Sequence, residues 1–182
     1  APQGSVTLEV ADYNPGVAQL IRITISDPRA ARAGFELTAR SVSDETRSAG
    51  SFTAGPGVQV RCDDGSKNGS SPPCPNPPRE FAEHLNAPTG SRGTAFTFDV
   101  MWTPPSPEIG RIVFYLSAVA ADGDSSASGD TVYTISKTIA FTGSCAIAGT
   151  LTATRALNGA SFQPPFSSSA MMSIFGTNFT DG

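Results

Sequence analysis

The feature that most constrains the fold is a pair of long apolar segments, residues 111–121 and 131–141, separated by a nine-residue polar loop. The second segment alternates, with Tyr133, Ile135 and Ile139 on one face and mainly threonine and serine on the other. A period of two is typical of a β-strand. The first segment is apolar on both faces, which predicts a central strand that is covered on both sides. Together the two segments predict a long antiparallel hairpin in the centre of a β-sheet protein.

The rest of the N-terminal region contains more segments of this kind, bounded by turn residues. Alternating apolar residues predict strands at residues 5–10, 20–26, 34–41 and 94–102, with shorter strands at 50–53 and 58–60 and a short edge strand at 80–85. The pattern predicts an all-β fold, an immunoglobulin-like antiparallel β-sandwich of about seven to nine strands, with a barrel as the alternative. The predicted core contains Phe35, Leu37, Phe96, Phe98, Trp102, Phe114 and Ile135.

Composition limits the possible partners. Glycine (18 residues) and proline (15) are abundant and only 15% of residues are charged, which suits a turn-rich β domain. The net charge is −4, and the 12 lysines and arginines do not cluster, so we expect no nucleic-acid partner. No run of about 18 apolar residues is present, so we expect no membrane span in this segment.

The C-terminal part of the chain differs in character. It carries large apolar side chains but too few residues to enclose a core of their own. We therefore predict a division in which residues 1–155 form the sandwich. Residues 156–182 are then either the truncated start of a second module or a docked tail.

Two of the three cysteines predict a disulfide. Cys62 and Cys74 flank a polar loop that has no means of folding by itself, and a bridge would stabilise it by roughly 3 kcal/mol. A zinc site would need four ligands, and only His84 lies near. A disulfide predicts an oxidising compartment and therefore a secreted or cell-surface protein. Cys145 is expected to be a buried thiol or to pair with a cysteine outside this sequence.

The candidate catalytic and metal-binding residues are few. His84 is the only histidine, and no Gly-x-Ser-x-Gly turn accompanies it, so we expect no enzyme. Asp122, Asp124 and Asp130 place oxygen ligands at alternate positions of the hairpin loop, as calcium loops do. The twelfth position of that loop is Tyr133 rather than glutamate. We therefore expect no cofactor and a solvated hairpin loop, with calcium as the alternative.

Trp102 has two interpretations. Its ring could form part of a sugar-binding platform, but it continues the inward alternation of Phe96, Phe98 and Val100. The pattern favours a core tryptophan, as sandwiches commonly bury one.

Several short motifs, in their order, carry a resemblance to a known family. They are residues 13–16, 34–40, 49–52, 102–105, Gly110, 113–115, 128–130 and 132–133. Together they resemble the reeler-like domain, in the form found in bacterial secreted proteins of the choice-of-anchor type, over roughly residues 5–142. Residues 158–162 and 173–178 are similar to the opening of a C-terminal module common in secreted proteins of soil bacteria. The resemblance implies an immunoglobulin-like sandwich on an exported protein, with no enzymatic activity.

These observations favour a non-catalytic extracellular or cell-surface module for adhesion, spacing or assembly. The partner is expected to be an unknown protein or glycan at the cell surface. The alternative is a carbohydrate-binding module, which an exposed row of two or more aromatic side chains on a flat or concave face would favour.

Overall fold

A computed structural model describes residues 4–46, 48–65, 69–74 and 78–143, together with the backbone of residues 152–158 and 172–177. The chain forms two compact units, Ala1–Thr142 and Gly143–Gly182. The described residues of the first unit form nine strands: β1 Ser5–Glu9, β2 Gln19–Ser26, β3 Arg32–Ser41, β4 Ser51–Thr53, β5 Val58–Cys62, β6 Glu80–His84, β7 Phe96–Thr103, β8 Ile112–Ala121 and β9 Thr131–Ile139.

These strands form two antiparallel sheets. One has four strands in the order β1-β2-β7-β4, and the other has five in the order β5-β6-β3-β8-β9. Apolar side chains alternate inward along most strands, so that both sheets contribute to a single hydrophobic core. The predicted all-β sandwich is confirmed, as is the long hairpin, in which β8 pairs with β9 from Ile112↔Ile139 to Ala120↔Thr131.

Trp102 is the largest of the fully buried side chains of the core. Its indole N–H donates a hydrogen bond to the Ala49 carbonyl (3.0 Å), and Tyr13 and Phe114 pack edge-on against the ring. The interpretation of Trp102 as a core residue is therefore confirmed. Six of the seven predicted core side chains are buried, whereas Ile135 on the edge strand β9 is only partly buried.

The prediction that the central strand β8 is covered on both sides is wrong for the middle of the strand, although Val113 at its start is buried. β8 lies inside the sheet between β3 and β9, but Tyr115 is 40% exposed and Ser117 is also exposed. The strand is apolar because it lies between β3 and β9 in the sheet and packs one face into the core. Its outward face opposite Thr38 remains open to solvent.

The predicted edge strand at residues 80–85 is also placed differently. β6 pairs with β3 on one side and with β5 on the other, so β5 forms the edge of the sheet. β6 thus needs a partner on each side, and one of them, β5, is held by the bridged cysteine loop. β6 is therefore an inner strand of the sheet, and its alternating pattern reflects one buried and one open face.

The second unit contains two strands whose backbones are described. β10 (Thr152–Asn158) pairs antiparallel with β11 (Met172–Thr177). The predicted division at residue 155 stays a prediction. Cys145 lies outside the described residues.

Candidate ligand-binding face

The open face of the five-stranded sheet carries two parallel rows of side chains that cross its strands. One, the aromatic row, consists of Arg61, Phe81, Thr38, Tyr115 and Ser136. The other, the carboxylate row, consists of Gln59, Glu83, Glu36, Ser117 and Thr134. Because side chains alternate along each strand, the two rows are neighbours on one face, two residues apart. The face therefore places rings and polar groups side by side.

A groove of about 440 Å³ lies between the aromatic side chains. Phe81 and Tyr115 stand on strands two apart, so their Cα atoms are separated by roughly 10 Å. Between them the small side chain of Thr38 is buried and donates a hydrogen bond to the Glu80 carbonyl (2.9 Å). The groove therefore has a low floor between two aromatic walls. Its volume falls within the range of small-molecule sites.

A second, more polar hollow of about 540 Å³ continues the groove towards the edge of the sheet. Its lining comprises Glu36, Gln59, Arg61, Cys62, Asp63, Gly69, Phe81 and Glu83. Glu36 and Phe81 line both hollows. The two hollows are consequently adjacent parts of one trough that runs across the strands.

Polar contacts fix both aromatic walls. The Tyr115 hydroxyl donates a hydrogen bond to a Glu45 carboxylate oxygen (3.1 Å), and this bond raises the pKa of Tyr115. The guanidinium carbon of Arg40 lies 5.3 Å from the centre of the Phe81 ring, a cation–π arrangement. Arg40 is only 7% exposed, and its Nη1 has no hydrogen-bond partner among the described residues. Each of the two rings thus has a defined polar or charged neighbour.

The two carboxylates of the trough differ in their surroundings. Glu83 accepts a hydrogen bond from the Gln59 amide (3.0 Å) and lies 3.6 Å from Nε of Arg61. Glu36 lies directly opposite Glu83 in the sheet. The Glu36 side chain is exposed, but partial desolvation in the trough, followed by the negative charge of Glu83, raises its pKa. Glu36 has no hydrogen-bond or ion-pair partner in the part of the chain that the structure describes.

The cysteine loop borders the polar end of the trough. Cys62 and Cys74 form a disulfide, as predicted. The Cys62 N–H donates to the Ser70 carbonyl (2.8 Å), which brings the loop back onto β5. Gly69 has a φ of +63°, and a Cβ there would lie 2.5 Å from the Cys62 carbonyl oxygen. Only glycine allows the loop to pack this closely at that point.

His84 and the three aspartates of the hairpin loop, which the sequence singled out, do not line the trough, whereas Cys62 lines its polar end. The His84 ring packs against Gly34, and its Nδ1 lies 3.2 Å from the Phe35 amide nitrogen. Asp122 and Asp124 accept hydrogen bonds from backbone N–H groups two residues further on, at 3.1 and 2.7 Å. Asp130 accepts one from the Asp122 N–H at 3.3 Å. These bonds shape the hairpin loop.

Within the described residues, no group of three or more His, Cys, Asp or Glu side chains is arranged to hold a metal ion. The calcium alternative for the hairpin loop stays a prediction. The same residues include no helix that is long and apolar enough to cross a membrane.

Sequence reasoning did not find the trough. The apolar pattern of residues 111–121 predicts a covered face for Tyr115, and Phe81 lies in a strand whose partners are distant in sequence. The signal that was present is the alternation in residues 80–84, which places Phe81 and Glu83 on one face.

No protein-family model matches this chain, and no curated protein matches it. Among solved structures, it is similar to the reeler domain of human F-spondin, with 17% identity, a TM-score of 0.46 and coverage of 76% of this chain and 88% of that one. The Reelin-N domain of F-spondin shows 18% identity and a TM-score of 0.47, covering 78% and 87%. A cohesin module of a family 33 glycoside hydrolase from Clostridium perfringens shows 16% identity and a TM-score of 0.44, covering 78% and 98%. With TM-scores below 0.5, these similarities support no conclusion about function.

Proposed function

We propose that the sandwich is a non-catalytic module of an exported protein, acting in adhesion through the open face of its five-stranded sheet, and that its ligand is a glycan. The observation that carries the proposal is the trough flanked by Phe81 and Tyr115. Two aromatic side chains on one concave face are the feature that favours the carbohydrate-binding alternative over spacing or assembly.

The shape of the groove suits a sugar ring. Van der Waals contact places a ring carbon about 3.5–4 Å from an aromatic wall. Two such contacts fit within the roughly 10 Å between the Cα atoms of Phe81 and Tyr115. The hydroxyls of Ser117 and Thr134 and the carboxylate of Glu36 lie beside this space and supply hydrogen-bonding groups. An apolar wall with adjacent polar groups matches the two faces of a pyranose.

An extracellular location is part of the proposal. The Cys62–Cys74 disulfide supports it, because such bridges persist in oxidising compartments. The reeler-like resemblance of residues 5–142 implies the same location. Adhesion fits a domain whose binding surface is open and lies across the strands.

The test compares two surface residues that are equally exposed. Tyr115 and Met101 are each 40% exposed, but Met101 lies on the outer face of the other sheet. The intact chain is screened on a glycan array, and the best ligand is titrated by calorimetry. We expect Tyr115→Ala to weaken binding at least about tenfold, since a stacking wall is lost. Met101→Ala should leave the affinity unchanged.

Two results would overturn the proposal. If no glycan binds the intact chain, the ligand is not a sugar, and a protein partner becomes the remaining occupant of the face. If Tyr115→Ala and Met101→Ala bind the best glycan as tightly as the parent does, the sugar is held elsewhere on the molecule.

A further inference from the structure

Glu36 occupies the centre of the trough. It is the carboxylate shared by both hollows, and it lies between Glu83 on β6 and Ser117 on β8 in the carboxylate row. A ligand that extends from the aromatic walls towards the disulfide loop passes beside it. What Glu36 accepts or repels therefore affects any ligand longer than one ring.

Glu36 has free capacity to accept hydrogen bonds. An ionised carboxylate offers about four lone-pair sites. Glu83 uses part of that capacity on Gln59 and Arg61, whereas Glu36 has no such partner among the described residues. Vicinal hydroxyls of a sugar are donors that can fill these sites. Hydrogen bonds to an ionised acceptor are also stronger than those between neutral groups.

The same position is unfavourable for an anion. Glu36 on β3 and Glu83 on the adjacent strand β6 form a directly opposite pair. Like charges in such a pair destabilise a sheet. The raised pKa of Glu36 reflects partial desolvation in the trough and this repulsion. A ligand carboxylate beside them would add a third negative charge.

The nearby cations do not offset that repulsion. Arg61 is engaged with Gln59 (2.9 Å) and Glu83, and Arg79 forms an ion pair with Asp63 (3.0 Å). Arg40 is buried over the Phe81 ring and does not line either hollow. The trough thus presents a free acceptor to the ligand, and the one cation among its lining residues, Arg61, is already paired with Glu83.

We propose that Glu36 is a specificity-determining residue: it accepts hydrogen bonds from a neutral glycan lying across the strands and excludes glycans of uronic acids. The inference rests on the proposed function of this face. Discrimination arises from an unfavourable contact with the wrong ligand as well as from a favourable one with the right ligand. The ligand spans both hollows, so at least two sugar rings take part.

The experiment uses matched pairs of oligosaccharides and the intact chain. A tetramer of neutral hexoses and the corresponding tetramer of uronic acids, with the same linkage, are titrated into the parent and into Glu36→Gln. We expect the parent to prefer the neutral tetramer at least about tenfold. Glu36→Gln keeps the shape and one acceptor oxygen but removes the charge, so that preference should shrink by a similar factor.

The control is Glu9→Gln, which removes an exposed carboxylate from the other sheet and should leave the preference unchanged. If the parent binds uronic acids as tightly as neutral sugars, or if Glu36→Gln keeps the full preference, the role of Glu36 is wrong while the Tyr115 result still supports the face. If neither tetramer nor any arrayed glycan binds, both proposals are overturned.

Discussion

The two outer faces of the sandwich are built on the same alternation but differ in what they present to solvent. The outer face of the four-stranded sheet carries mainly serine and threonine, with an Arg22–Asp99 pair whose two hydrogen bonds measure 2.8 and 3.0 Å. None of the outward side chains of its four strands is aromatic. The outer face of the five-stranded sheet carries two aromatic walls and two facing carboxylates. The second face therefore combines aromatic and acidic side chains, which the first does not.

The two faces also differ in the exposure and pairing of their arginine side chains. Arg22 on the four-stranded face is about half exposed and paired with Asp99. Arg40 on the five-stranded face is nearly buried, and burial, followed by the charge of Arg79, lowers its pKa. A solvated pair is the ordinary arrangement of a surface. A buried cation with an N–H that is unpartnered among the described residues, such as Arg40, is costly.

The largest expected effect concerns the core beneath both faces. Phe98 is 7% exposed and packs against Phe35 across the sandwich, with ring centres 4.8 Å apart. Phe98→Ala should lower the free energy of unfolding by about 3–5 kcal/mol, because it removes transfer energy and leaves a cavity. Chemical denaturation measures this, with the exposed neighbour Thr97→Ala as control. A loss below about 1 kcal/mol would show that the assigned inward face of β7 is wrong.

The alternation of inward and outward side chains along β7 shows which part of the fold the sequence predicts. Phe96, Phe98 and Trp102 share one face because a strand has a period of two, and no knowledge of the partner strand is needed. The same rule cannot tell whether the other face is open or covered. Tyr115 shares its face with Val113 and Val119, so the apolar pattern predicts a covered face for it. Its exposure depends on which elements pack above β8.

The position of β6 shows a second limit. Its neighbours, β3 and β5, are brought together only by long-range pairing, with Glu36 opposite Glu83 and Arg61 opposite Phe81. Strand order of this kind is not encoded in local periodicity. The trough is lined by residues of five adjacent strands, so local periodicity does not predict it. The disulfide was predictable because both cysteines border a single loop.

A smaller effect on stability is expected when an arginine on each of the two faces is replaced. Arg40→Met keeps the apolar contact with Phe81 and removes the unpartnered donor, so the free energy of unfolding should stay the same or rise by up to about 1 kcal/mol. Arg22→Met on the four-stranded face should change stability within the error of the measurement, because exposed pairs contribute little. Urea titration of both variants provides the comparison. A clear loss of stability in Arg40→Met would mean that its charge is needed, and the contrast between the faces would disappear.

The smallest effect tests a polar bridge between the two sheets. Glu80 on β6 accepts a hydrogen bond from the Phe52 N–H on β4 (2.8 Å), and burial raises the pKa of this carboxyl. A raised folded pKa favours the folded state below the unfolded pKa, and that contribution is lost as pH rises through the folded pKa. Glu80→Gln keeps an acceptor oxygen but cannot ionise.

The melting temperature of Glu80→Gln relative to the parent should therefore increase between about pH 4 and pH 8, a range that spans the ordinary pKa of glutamate. Thermal melts at several pH values measure the difference, and Glu9→Gln on the exposed face of the four-stranded sheet serves as the control. A difference that does not change with pH would show that the Glu80 charge is tolerated inside the sandwich. The hydrogen bond to Phe52 would then stabilise the ionised form enough to offset burial, and the two sheets would be joined by a charge rather than by a neutral acid.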